Sequence, residues 1–402
     1  MLLIFRLGAH IPVPFVRPEE LRKLLSADGS SLFDMINMFS GGAFANATIF
    51  AMSITPYVNA SIIMQLLTVV IPSLERINKD DNGHIIINKY TRYLCVTIAF
   101  VQSSMLYYGL GRVVSEHTWL SYLVISLAFT AGTAFLMWLG EQIGEKGIGN
   151  GTSLIIFAGI VSRGPQLIMT IYNAITTGNV VAALVLVILS VVAVGFVVSI
   201  TEAERKVPVH YAQRMVGRKL YGAQNTHIPL KIAMTGVMPI IFAMSILSFP
   251  GTIAQLIGIT SASQGLFAKF LRFLSPASWI YGIIYFVLII FFTYFYTSIQ
   301  FNPVEIANNM KKNGGFIPGI RPGRPTSDYI SKIVSRITLT GAFFLGIVAV
   351  APIFMGMLPA LRGIAMNIGG TSLLIVVGVA LETVKQIQGH MLVSNYKGFL
   401  EQ

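Results

Sequence analysis

The chain has a single cysteine, Cys95, among its 402 residues, and one thiol excludes both a disulfide framework and a metal site built from cysteines. Charge is scarce too. Asp, Glu, Lys and Arg together make up 11% of the residues, against 54% hydrophobic ones. A soluble domain carries about 25% charged and about 45 to 50% apolar residues, so this deficit excludes an ordinary soluble protein and defines an integral membrane protein. Acidic side chains are the rarer sign, 16 against 28 basic ones. None falls in the middle of a long apolar run, and Glu382 stands near the end of one. The runs therefore lack the intramembrane carboxylate that ion or proton coupling normally needs. His10, His84, His117, His210, His227 and His390 are scattered without metal-ligand spacing. Gly147-Ile148-Gly149-Asn150-Gly151-Thr152 is glycine-rich but lacks the Gly-Lys-Ser/Thr ending of a phosphate-binding loop. It reads as a flexible entry to the next helix. With no nucleophile, acid or metal set, no enzyme and no cofactor are expected, and any ATP must be spent by a partner. A cleavable signal peptide is not evident: residues 1–5 are too short for a signal core, and Arg6 follows directly.

What the sequence does have is long apolar runs. At about 1.5 Å per residue, some 20 helical residues cross a hydrocarbon core about 30 Å thick. Runs of that order occupy residues 53–72, 90–110, 119–139, 152–172, 180–200, 232–253, 279–301, 337–358 and 371–387. Residues 1–12 are half a span, and its completion brings the expected total to ten. Pro56 interrupts the second span of the first half, and Pro239 with Gly236 interrupts the second span of the other half. Matching broken helices are what an inverted repeat around a central path leaves; two prolines placed by chance would look the same.

The stretch from residue 35 to 72 is apolar enough for a membrane yet wrong for a lipid-facing helix. Phe39-Ser40-Gly41-Gly42-Ala43-Phe44-Ala45-Asn46-Ala47 is rich in small residues and long enough for only about two helical turns. It cannot span, and a short re-entrant helix is expected. The run that follows is long enough, but Thr55, Pro56, Asn59, Ser61, Gln65 and Thr68 interrupt it. A proline that strips a carbonyl of its donor is tolerated at membrane depth only where protein or a water-filled cavity covers the backbone. Two arrangements meet that condition: a helix lining a cavity, or a polar helix packed inside a bundle.

Orientation follows from Lys and Arg alone. With the loop after the second span on the cytoplasmic side, that side carries Arg76, Lys79, Lys89, Arg92, Lys146, Arg205, Lys206, Arg214, Arg218, Lys219 and Lys231, then Lys311, Lys312, Arg321, Arg324, Lys332, Arg336, Lys385 and Lys397. The opposite side keeps Arg17, Arg22, Lys23, Arg112, Arg163, Lys269, Arg272 and Arg362. Both termini are thus expected to be cytoplasmic. Residues 201–231 and 302–336 form the two longest cytoplasmic connections, and each is basic. The Arg214, Arg218 and Lys219 cluster suits phosphates or an acidic protein surface, and Gly319-Ile320-Arg321-Pro322-Gly323-Arg324-Pro325 fixes a turn that presents arginines outward. Charges that merely set topology are the alternative for both.

Asn37-Met38-Phe39-Ser40-Gly41-Gly42, Tyr57-Val58-Asn59-Ala60-Ser61-Ile62-Ile63-Met64-Gln65-Leu66-Leu67, Trp138-Leu139-Gly140-Glu141-Gln142-Ile143, Gly147 to Gly151, Phe301-Asn302-Pro303, Gly319-Ile320-Arg321-Pro322-Gly323 and Gly370-Thr371-Ser372-Leu373-Leu374-Ile375 together resemble SecY, the bacterial protein-conducting channel. They occur in the family's order and run across essentially the whole chain. The start departs from the pattern, because SecY proteins usually carry a cytoplasmic segment and a full first helix ahead of a sequence like Phe5-Arg6-Leu7-Gly8. The resemblance implies an all-α polytopic membrane protein of ten helices in two pseudo-symmetric, inverted five-helix halves, residues 1–172 and 173–402, around an hourglass pore. It implies a short plug helix at about residues 35–50, including Phe39, Ser40, Gly41 and Gly42. The pore ring would be Ile54, Val58, Thr152, Ile156, Ile241 and Ile375. A lateral gate between spans two and three and spans seven and eight would include Gln65. Arg321 and the Arg214, Arg218 and Lys219 cluster would dock partners.

The implied partners are the membrane subunits SecE and SecG, the motor ATPase SecA, the ribosome, unfolded secretory and membrane proteins with signal sequences, and the lipid bilayer of a bacterial plasma membrane. The implied function is the central channel of the Sec translocon; the alternative is a secondary transporter of a small solute. Within the ring, Val58 is one methylene smaller than isoleucine, and Thr152 brings a hydroxyl that a helical carbonyl one turn earlier could absorb. The orientation has a direct test. Single cysteines replacing Asn225 and Asn313, in a variant lacking Cys95, should react with an impermeant reagent only from the cytoplasmic side; labelling from outside in intact cells would reverse the topology.

Overall fold

A computed structural model of the chain describes residues 1–27, 37, 40–80, 82–109, 111, 113–176, 180–211, 214–216, 219–221, 225–233, 236–256, 278–356 and 370–400. The apolar runs become helices: α1 (Leu2–Gly8), α2 (Pro18–Ala27), α3 (Thr55–Val70), α4 (Pro72–Lys79), α5 (Gly83–Gly109), α6 (Trp119–Lys146), α7 (Gly151–Val161), α8 (Gly164–Thr176) and α9 (Val180–Glu202). The later part adds α10 (Met238–Leu256), α11 (Trp279–Gln300), α12 (Pro303–Lys312), α13 (Arg324–Gly356) and α14 (Gly370–Leu400). Among the described residues α6, α11, α13 and α14 are long and apolar enough to cross a membrane, and α3 with α4 makes a fifth such unit, bent by 106°. The bend falls where Pro72 opens a new helix and can supply no N–H to continue the old one.

Several elements differ from the sequence expectation, each for a local reason. The run over residues 152–172 is two helices: α7 closes at Ser162, and Gly164-Pro165 opens α8. Pro56 does not break its helix. It sits in the first turn of α3, where an N–H has no intrahelical partner in any case. The plug helix expected at about 35–50 falls largely outside the described residues: Asn37 is helical, Phe39 lies outside them, and residues 40–54 run as consecutive turns. Positive φ at Gly41 (63°), Gly42 (88°), Ala47 (48°) and Ser53 (54°) keeps that segment from winding into a helix. The loop over 302–336 is mostly helical, since α12 fills its start and α13 begins at Arg324.

Strands, absent from the sequence expectation, build the two basic connections. β1 (Glu204–Tyr211), β4 (Asn225–Lys231) and β5 (Gly315–Phe316) form an antiparallel sheet in the order β4-β1-β5, with Val207 opposite Ile228 and His210 opposite Phe316. β2 (Arg214–Val216) and β3 (Lys219–Tyr221) pair as a separate small hairpin. Val207, Val209 and Leu230 alternate inward and pack with Met310, Ile317, Ile330 and Val334, so the two connections share one small core.

The two halves echo each other more closely than two prolines could suggest. Ser53 and Gly236 have φ of 54° and 58°, each stands two residues ahead of its helix, and Pro56 and Pro239 are the second residues of α3 and α10. Val58 and Ile241 then occupy equivalent fourth positions. In the same way Gly151-Thr152-Ser153-Leu154-Ile155-Ile156 opens α7, and Gly370-Thr371-Ser372-Leu373-Leu374-Ile375 opens α14.

The start of α7 is held tightly. Asn150 Oδ1 accepts from the backbone N–H groups of Thr152 at 3.1 Å and Ser153 at 3.3 Å, capping the helix. Gly151 beside it is buried, and a Cβ there would overlap the carbonyl oxygen of Gly140 on α6 and lie 3.0 Å from Ile143 Cβ. Gly151→Ala should therefore destabilise the fold by about 1–3 kcal/mol, whereas Gly164→Ala, which meets open space, should leave it unchanged. Thermal denaturation of the purified proteins in detergent compares the two; equal midpoints would show that α6 and α7 are not in close contact.

Candidate functional site

Helices α3, α7, α10 and α14, with Ile54 just ahead of α3, contribute Ile54, Val58, Ile156, Ile241 and Ile375 to one large buried apolar cluster. Ile54 is 1% exposed and Ile375 fully buried. Beside them lies a cavity of about 380 Å³, lined by Val58, Thr152, Ile156 and Ile241 at its apolar end and by Ser61, Gln65, Glu141, Asn150 and Tyr296 elsewhere. The wall is aliphatic at Val58, Ile156 and Ile241 and polar at Ser61, Gln65, Glu141 and Asn150.

Of the six residues expected in the ring, five fall in that cluster and Thr152 shares the cavity wall with Val58, Ile156 and Ile241, with one correction to the chemistry. Thr152 is the second residue of α7, so no helical carbonyl lies one turn earlier to take its hydroxyl. Half-buried, it lines the cavity instead, and its polarity is open to whatever fills that space. Val237, which stands to α10 as Ile54 stands to α3, was missed by sequence reasoning. It is 6% exposed and belongs to the same cluster. The positional repeat between the two halves was the signal that would have found it.

Of the expected plug residues, Ser40, Gly41 and Gly42 are described and run directly into Ala43, which reaches this cluster. Ser40 is fully buried; its hydroxyl accepts from Phe44 N–H at 3.1 Å and donates to the Asn37 carbonyl at 3.2 Å. Asn37 Oδ1 accepts from Ala45 N–H at 3.0 Å, so the turn is tied to itself. Ala43 belongs to the same apolar cluster as the ring residues. Gly41 rests on α7: a Cβ there would lie 2.6 Å from the Gly159 carbonyl oxygen. Further along, Val13 N–H donates to the Ala47 carbonyl at 2.9 Å and Ile49 N–H to the Ile11 carbonyl at 3.1 Å, which anchors the segment to the connection after α1.

Gln65 is half-buried on α3, lines the cavity and donates through Nε2 to Ser61 Oγ at 3.5 Å. Across from it α10 packs against both α3 and α5. Phe242 on α10 meets Tyr296 edge-on at 5.6 Å and Phe292 at 6.0 Å. These rings pack α10 on α11, and Phe242 and Tyr296 line the same cavity as Gln65. A further charged pair borders the cavity: Arg92 Nε on α5 donates to Glu141 Oε1 on α6 at 2.9 Å. Sequence reasoning placed Arg92 only among topology-setting charges.

Of the docking residues, Arg321 is exposed between Gly319 (φ 81°) and Gly323 (φ 104°). Its carbonyl accepts from Thr326 Oγ1 at 2.8 Å, and Ile317 beneath is 3% exposed in the small core. Arg324 is exposed beside it. Arg214 and Lys219 lie on β2 and β3, and Arg218 lies outside the described residues.

Long apolar helices around a partly polar cavity, with a buried apolar cluster beside it and a small-residue segment packed on that cluster, are the build of a membrane channel. Comparison with known proteins gives the family. The SecY family profile matches residues 48–384. The protein translocase subunit SecY of Aquifex aeolicus is 42% identical over 413 residues, covering 100% of this chain and 94% of that one. The fold agrees with "The structure of a protein conducting channel" at a TM-score of 0.69 and 20% identity, covering 96% of this chain and 89% of that one. A structure entitled "The plug domain of the SecY protein stablizes the closed state of the translocation channel and maintains a membrane seal" matches at 0.68 and 19%, with the same coverage. Sec61 in the canine ribosome-channel complex from the endoplasmic reticulum matches at 0.66 and 19%, again covering 96% and 89%. The chain belongs to the SecY family, whose fold is the ten-helix, two-halves channel.

Proposed function

We infer that this chain is the central channel subunit of a protein translocase, conducting unfolded secretory proteins across the plasma membrane of a bacterium and releasing apolar segments sideways into lipid. The observation that carries this reading is the cavity walled by Val58, Thr152, Ile156 and Ile241, whose aliphatic residues share a buried apolar cluster with Ile54 and Ile375. Branched aliphatic side chains exclude water and ions by dewetting, and they make no specific bonds to a passing peptide. The secondary-transporter reading finds no support in the relatives, and the chemistry of a pore rather than a catalyst suits the site. Residues 40–47 supply the plug, and the seam of α3 and α5 against α10 and α11 supplies the lateral gate. The division into halves lies near residue 172.

Both termini face the cytoplasm, as the basic connections indicate. SecE and SecG accompany the chain in the membrane, and SecA and the ribosome dock on the basic platform at Arg321 and on the hairpin carrying Arg214, Arg218 and Lys219. The Sec61 relative in a ribosome-channel complex supports the ribosome in particular. ATP-driven movement of an unfolded secretory protein into proteoliposomes tests the function. Movement of a small solute without protein export would establish the other class. In the same assay Arg321→Glu should abolish motor-driven export while abundance and insertion stay near normal, because reversal of an exposed charge scarcely affects folding. Export at the parent rate would remove Arg321 from the docking surface.

The ring is looser than one made of isoleucine alone. Val58 lacks a methylene, worth about 0.8 kcal/mol of apolar burial, and Thr152 turns a hydroxyl to the cavity, so the plug carries part of the seal. Deletion of residues 40–47 should raise conductance in planar bilayers without motor or substrate. Adding Val58→Ile and Thr152→Ile to the deletion should lower it again. A deletion that conducts no more than the parent, or a refilled ring that leaks as much as the deletion, contradicts the shared seal.

A further inference from the structure

One charged side chain in the first helix has no place in the ring, the seam or the docking platform. Arg6, on α1, is half-buried. A guanidinium in such surroundings must be hydrogen-bonded or it destabilises the fold. Its two hydrogen-bond acceptors among the described residues are not carboxylates. Nη1 donates to the Gly41 carbonyl at 3.3 Å and to Ser162 Oγ at 3.1 Å. Ser162 Oγ in turn donates to the Gly159 carbonyl at 2.7 Å and lies 3.4 Å from the Gly41 carbonyl. Three segments far apart in the chain therefore meet at one backbone oxygen: α1, the turn at Gly41 and the last turn of α7.

The local geometry favours this meeting. Ser162 caps the C-terminal end of α7, where unpaired carbonyls carry negative partial charge and attract a cation. Gly41 reaches that end only because it has no side chain: its φ is 63°, and a Cβ would lie 2.7 Å from Ser162 Oγ. The same helix carries Thr152 and Ile156 toward its other end, so the contact ties the segment at Gly41 to an element of the ring.

We propose that Arg6 is the positioning residue that latches the plug at rest, holding the Gly41 carbonyl onto the Ser162 end of α7. This rests on the reading of residues 40–47 as the plug. The latch is reversible by construction. When the Gly41 carbonyl leaves, Ser162 Oγ remains as an acceptor and the helix end still faces the guanidinium, so the charge is never stranded. A neutral side chain at position 6 would leave ring and plug residues untouched but remove the bond between them.

The test measures plug release and leakage separately. Ala43, 1% exposed, becomes a reporter as Ala43→Cys in a Cys95→Ala background, and its reaction with a hydrophilic thiol reagent is timed in the purified complex in detergent. Arg6→Leu should speed labelling roughly tenfold, the size expected for one charge-assisted hydrogen bond lost. Ser162→Ala, which removes the acceptor left to Arg6 once the Gly41 carbonyl departs, should slow it about threefold, and Arg6→Lys should stay within about threefold of the parent. Planar-bilayer conductance of Arg6→Leu should rise toward that of the 40–47 deletion. If the deletion conducts but Arg6→Leu labels and conducts like the parent, the latch is wrong and the channel stands. If the deletion does not conduct, the sealing role fails, and labelling alone decides whether Arg6 holds the segment. Should Arg6→Leu fail to accumulate, unchanged labelling in Ser162→Ala overturns the proposal.

Discussion

Helices that start inside a membrane pose a problem that the whole architecture answers. The first turn of any helix has backbone N–H groups without intrahelical acceptors, and hydrocarbon offers none. Here α3 and α10 begin directly after Ile54 and Val237, inside the apolar cluster, and α7 carries Ile156 into it from its own start at Gly151. At α3 and α10 the second residue is proline, which has no N–H to satisfy. At α7 the Asn150 side chain accepts from two of the orphan donors. The constriction can therefore consist of aliphatic side chains, because several of the polar groups of its own backbone are absent or already paired.

Small residues make the remaining contacts possible. Gly151 lets α7 lie on the Gly140 carbonyl of α6, and Gly41 lets the segment before α3 lie on the end of α7. Ala43 then reaches the ring cluster. Larger side chains at these places would hold the elements apart, and an apolar seal tolerates no gap wide enough for water. Larger rings pack α10 on α11 instead, Phe242 against Phe292 and Tyr296.

On the face where the basic connections lie, the pairing of β1 with β5 joins two segments far apart in the chain. His210 packs on Phe316 across that pairing at 6.0 Å, and Ile317 and Ile330 anchor the far segment in the shared core. Arg321 is consequently presented from a fixed turn. The Ala203 carbonyl accepts from Ile232 N–H at 2.9 Å, which closes the β1–β4 connection between α9 and α10.

Composition and apolar run length determined the class, the approximate helix count and many helix ends to within a few residues, because the thickness of hydrocarbon sets a length that sequence must satisfy. Family motifs singled out Ile54, Val58, Thr152, Ile156, Ile241 and Ile375; the fold puts five of them in one apolar cluster and Thr152 on the cavity wall beside three of those. The strands β1 and β4 were not legible, since their apolar alternation is short and basic residues dominate the segment. The split of residues 152–172 at Gly164-Pro165 was masked by an unbroken apolar composition. Tertiary structure alone decided the rest. Whether Pro56 breaks a helix or opens one depends on the left-handed turn at Ser53, and whether Thr152 hides its hydroxyl depends on how much helix precedes it. The partners of Arg6 could not be read from sequence at all, for the Gly41 carbonyl and the Ser162 hydroxyl reach it only through folding, and a backbone oxygen leaves no mark in the residue types that surround it.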